Sequence, residues 1–145
     1  MIKNSLFTEA TNMNTKLLMT TSSLVLGLAG IFALFAPDVP LEMLGTPLPS
    51  SLPVLIQLMG ALYFSMALMN WIAKDSTIGG IDARPVSVGN FAHFFTGTLL
   101  LIRSQLSNEF NLSMLLLLVL YAIFAALFYW LVFRHTGISV DRNAR

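Results

Sequence analysis

Apolar runs separated by short polar segments organise this chain. From Leu17 to Ala36 no charge interrupts LLMTTSSLVLGLAGIFALFA, and about 20 residues rising 1.5 Å each cross a hydrocarbon core of roughly 30 Å. A second run covers Val54 to Ala73, a third Pro85 to Ile102, and a fourth Leu112 to Phe133. The third is the shortest and the most polar. Each run predicts a membrane-spanning α-helix. Pro53 and Pro85 fall at helix starts, where a missing N–H is harmless, and Asn111 is placed to cap the fourth helix. Gly79 and Gly80 fall in the connection after the second run. The first run exceeds the apolar core of about 7 to 15 residues in a cleaved leader and lacks a good small-residue cleavage pattern, so it reads as a retained span. The expected fold is all-α, an integral membrane four-helix bundle forming one domain over residues 1–145.

Charge supplies the orientation. With four spans, the N-terminus, the segment Lys74 to Arg84 and the C-terminus share a side that holds Lys3, Lys16, Lys74, Arg84, Arg134, Arg142 and Arg145, while Arg103 stands alone opposite. By the positive-inside rule, both termini are then expected in the cytoplasm. Trp71, Tyr129 and Trp130 fall near that interface, where amphipathic rings anchor. Of the 145 residues 56% are hydrophobic and 10% charged, with a net charge of +1 and no cysteine. That composition removes disulfides and thiol chemistry, and offers nucleic acid no basic patch. Asp38 and Glu42 are four residues apart in a proline-broken segment without a nearby histidine, and read as surface charges rather than an acid-base pair.

The polar residues inside the runs are the candidate chemistry. Counted from the cytoplasmic ends of alternating spans, Thr20 to Ser23, Asn70 and Asn90 come to similar depths. His93 lies deeper, near the middle of the third span, with Tyr63, Ser65 and Tyr121 at or slightly beyond its level. Asn90, His93 and Gly97 share a face within about 60° at 100° per residue, and Gly89 joins its edge. Gly60, Tyr63, Ala67 and Asn70 form a small-and-polar stripe on the second span. Ser23, Gly27 and Gly30 do so on the first. Small residues let helices approach closely in lipid, and polar ones bond across them, so Ser23, Gly27, Gly30, Gly60, Gly89 and Gly97 are the expected packing positions.

An ionisable residue at mid-membrane is a functional candidate by default. His93 therefore leads the site, with Asn90, Asn70 and Tyr63 as partners, and no catalytic residue is assigned. The imidazole can exchange protons, bind a quinone or other lipid-like headgroup, or merely join helices. A metal is not expected: zinc lacks a second buried ligand, and a bis-histidine haem would need His135, at the membrane boundary.

The run ARPVSVGNFAHFFTGTLLLIR, from Ala83 to Arg103, together with chain size and span count, resembles small bacterial four-helix membrane proteins grouped with the DoxX-like families. The glycine and arginine pattern usual near the first helix of DoxX proteins is not matched. The resemblance implies the bacterial inner membrane. Some relatives are associated with quinone-linked oxidoreductases, which implies a quinone or lipid as ligand but assigns no residue. Three functions stand open: a non-enzymatic protein holding a lipid-like ligand or membrane-protein partner around His93, a membrane subunit of a quinone-linked oxidoreductase or proton-coupled carrier, and a structural homo-oligomerisation module using the Ser23, Gly27 and Gly30 stripe.

Overall fold

The computed structural model describes residues 2–39, 51–75, 83–107 and 112–134, with the side chains of 15–39, 51–75, 84–107 and 112–133. Glu42, Gly79, Gly80, Asn111 and His135 lie outside the described residues, as do the charges of the C-terminus. Among the described residues are four long helices: α1 (Ile2–Phe35), α2 (Leu52–Ala73), α3 (Ala83–Ser107) and α4 (Leu112–Arg134). Each contains a stretch long and apolar enough to cross a membrane, namely Thr15–Phe35, Leu52–Ala73, Arg84–Ser107 and Leu112–Phe133.

Two boundaries differ from the sequence reading. α1 begins at Ile2, because neither glycine nor proline occurs before Gly27 to break the helix. Its 34 residues are about 51 Å long, well beyond a bilayer core. The third span is not the shortest. α3 passes Arg103 and ends at Ser107, so the arginine lies within the helix rather than closing it. Arg and Gln are good helix formers, and a charge ends the apolar run without ending the backbone ladder.

The chain divides into two compact units, Met1–Ser76 and Thr77–Arg145. Each is an antiparallel helical hairpin, α1 with α2 and α3 with α4.

Small residues and polar bonds hold the first hairpin together. A Cβ built on Gly30 would lie 2.7 Å from the backbone nitrogen of Phe64 and 2.8 Å from the carbonyl of Gly60. One on Gly60 would lie 2.9 Å from the carbonyl of Gly30. The two backbones touch, and only glycine allows it. One turn away, the Cβ position of Gly27 is 3.5 Å from Ala67, an ordinary contact. Ser23 donates from its hydroxyl to the Ala67 carbonyl at 2.7 Å, and Gln57 donates from Nε2 to the Leu34 carbonyl at 3.1 Å. Asn70, fully buried, donates from Nδ2 to the Ser22 hydroxyl at 3.0 Å, which in turn donates to the Met19 carbonyl. At the open end Lys16 pairs with Asp75 at 2.7 Å, and the Lys74 ammonium stands 2.9 Å above the Trp71 ring.

The second hairpin is joined by rings instead. Phe94 and Phe128 are completely buried, and Phe94 stacks on Phe124 at 4.8 Å and Phe128 at 5.8 Å, with Tyr121 edge-on at 5.2 Å. Toward the other end Phe91 meets Tyr129 and Phe133, which contact each other at 4.6 Å. Tyr129 thus packs into a ring cluster while half its surface remains exposed.

Much of the outward surface is hydrocarbon. Phe32 is 65% exposed, Ile72 74%, Leu100 67% and Leu116 63%. Such contiguous apolar surface suits lipid rather than water. The unburied hydroxyls behave accordingly: Thr20, Thr21, Ser65, Thr96 and Thr98 each donate to a carbonyl three or four residues earlier in their own helix. That internal bond satisfies a hydroxyl where no water is present.

Candidate functional site

His93 lies at the centre of α3's apolar stretch. It is nine residues from Arg84 and ten from Arg103, the two charges among the described side chains of α3. At 1.5 Å per residue those separations are about 14 and 15 Å, half the thickness of a hydrocarbon core. The side chain is half-buried. Its Nε2 lies 3.4 Å from the phenolic oxygen of Tyr121 on α4, and the two ring centroids are 5.6 Å apart. At that length the bond is weak, since an O–H···N contact at its best is nearer 2.8 Å. Which partner donates depends on the imidazole tautomer.

Two neighbours fix this pair. A Cβ on Gly97 would fall 2.5 Å from Cε1 and 2.6 Å from Cδ1 of Tyr121, so the Cδ1–Cε1 edge of the phenol abuts the glycine, one turn beyond His93. Phe94 bounds the other side, 5.1 Å from the imidazole and 5.2 Å from the phenol. Glycine and phenylalanine together hold the Tyr121 hydroxyl at the level of the imidazole. The result is a polar pair within an aromatic wall.

The other candidates separate from this pair or take structural roles. Asn90 is buried and folds its Nδ2 back onto the Val86 carbonyl at 2.8 Å, one turn from His93 on the same helix. Tyr63, half-buried, and Asn70 belong to the first hairpin, where Asn70 links α2 to Ser22 of α1. Gly89 departs from its expected packing role. It is exposed, and a Cβ there would meet nothing within 4 Å, because it lies at the edge of the face that carries Gly97. In the first hairpin the Ser23, Gly27 and Gly30 stripe faces α2 of the same chain.

Tyr121 is the residue the sequence reading left out of the site. α4 is apolar nearly all round, so no stripe marks the side that faces α3. The available signal was Gly97, one turn from a mid-span histidine, where a neighbouring ring can lie. Among the described residues no group of three or more His, Cys, Asp or Glu is positioned to hold a metal. Every buried side-chain nitrogen and oxygen among them has a hydrogen-bond partner. Searches with the chain match no family model, no curated protein and no solved structure.

Proposed function

We propose that the chain is a multi-pass protein of the bacterial cytoplasmic membrane, with both termini in the cytoplasm, that holds a lipid-like ligand at His93 and Tyr121 without catalysing a reaction on it. The observation that carries this reading is a half-buried imidazole at the centre of an apolar helix, with the hydroxyl of Tyr121 3.4 Å from its Nε2 and Phe94 beside both rings, so that two groups able to hydrogen-bond stand together inside an aromatic wall. A polar group at that depth is costly when lipid tails cover it. A ligand oxygen bonded to both rings offsets that cost. The seven-to-one division of Lys and Arg supports the orientation, and the resemblance over Ala83 to Arg103 supports the bacterial membrane.

Lipid extracts of purified protein, analysed by mass spectrometry, test the reading. Wild type is expected to carry a co-purifying species that His93→Ala loses and Asn90→Ala reduces. Unchanged ligand content together with unchanged thermal stability in both variants would contradict it.

A second reading rests on the same two titratable rings, which are suited to proton exchange in a carrier or an oxidoreductase subunit. It predicts an activity that titrates with the histidine and is abolished in His93→Gln.

A further inference from the structure

We infer that the ligand of this site is an uncharged amphiphile whose hydroxyl or carbonyl head lies at the bilayer midplane, rather than a phospholipid or an ionised fatty acid. The inference rests on the proposed ligand site and names the chemistry it selects.

Charge is the first discriminator. Among the described side chains the charged ones are Lys16, Asp38, Lys74, Asp75, Arg84 and Arg103, and every one stands in the terminal turn or so of an apolar stretch or beyond it. None lies within the middle of α2, α3 or α4. A phosphate or carboxylate brought to His93 would meet, among the described side chains of α3 and α4, no cation nearer along the helix than Arg84 and Arg103, and an unpaired ion in hydrocarbon is strongly disfavoured. The groups at the site are an imidazole nitrogen and a phenolic hydroxyl, which suit a neutral oxygen as donor and acceptor.

Depth is the second. His93 is about 14 to 15 Å along the helix from either bracketing arginine. A headgroup anchored at the interface therefore cannot reach it without dragging its charge through half the core. An uncharged alcohol or ketone on a long apolar chain can. The 3.4 Å separation of Nε2 and the phenolic oxygen leaves both within reach of one shared ligand oxygen, and Phe94 supplies an apolar flank.

Two probes with the same chain and different heads test this: oleyl alcohol, and oleate held ionised at about pH 9, far above ordinary carboxyl values. Each is added to the full-length protein in phosphatidylcholine nanodiscs, and binding is read by native mass spectrometry. Oleyl alcohol is expected to bind saturably, about tenfold more weakly in His93→Leu and at least about threefold more weakly in Tyr121→Phe, a variant that keeps the ring on Gly97 and removes only the hydroxyl. Oleate is expected to show no saturable binding. Saturable oleate binding that His93→Leu removes would overturn the ligand class while leaving the site standing. Equal binding of both probes by wild type, His93→Leu and Tyr121→Phe would overturn the site as well.

Discussion

At the scale of single residues, the three glycines Gly30, Gly60 and Gly89 make opposite predictions. At Gly30 and Gly60 an added methyl would meet backbone atoms under 3 Å away, which cannot move without parting α1 from α2. Gly30→Ala and Gly60→Ala are each expected to destabilise the protein by about 1 to 3 kcal/mol, the usual cost of overpacking. Gly89→Ala meets open space within a helix, and is expected to be neutral or to stabilise by up to about 1 kcal/mol. Unfolding titrations in mixed micelles measure all three. The close approach at Gly30 was legible as a stripe of small residues on α1. The open surroundings of Gly89 were not, because spacing along a helix shows which residues share a face but not whether a neighbour fills it. Asn70 belongs to the same hairpin. Asn70→Ala is expected to cost about 0.6 kcal/mol, and no more than about 1.7, as cross-helix hydrogen bonds in membranes do.

At the scale of elements, the two hairpins use different adhesives. α1 and α2 meet through glycine contacts and polar bonds, whereas α3 and α4 meet through rings. Phe94→Ala removes the ring that touches Tyr121, Phe124 and Phe128, and it is expected to cost about 2 kcal/mol from the cavity alone. In a bilayer the transfer gain would be small, since an unpacked ring would remain in lipid. The ion pair of Lys16 with Asp75 is weaker, both side chains being mostly exposed at 59% and 61%. The hydrogen bond from Lys16 holds the Asp75 carboxyl below its ordinary 3.8. A lowered folded-state value means that the pair's contribution is complete above pH 3.8 and is lost as pH falls through the lowered value. A double-mutant cycle is expected to find coupling at low salt that disappears in high salt and in acid. The spans themselves were legible because their apolar runs match a bilayer's thickness. The end of α3 was not, since Arg103 interrupts hydropathy without interrupting helix propensity. Nor was the choice of Tyr121, because α4 is apolar on nearly every side.

At the scale of the whole molecule, the absence of cysteine makes the proposed topology directly testable, since any introduced thiol reports without background. Cysteines at Lys3 and Asn143 are expected to resist a membrane-impermeant maleimide in intact cells and to react after lysis, while one at Thr46 is expected to react at once. The site and its ligand class both require His93 to lie at the bilayer midplane. Ala92 and Thr96 flank it on exposed surface, so a spin label there reports depth without disturbing Tyr121. In bilayers, labels at Ala92→Cys and Thr96→Cys should show the highest collision rates with oxygen and the lowest with a water-soluble nickel complex, falling away symmetrically toward labels at Arg84→Cys and Arg103→Cys. Free access of the nickel complex to positions 92 and 96, or a depth maximum at either arginine, would contradict a midplane histidine.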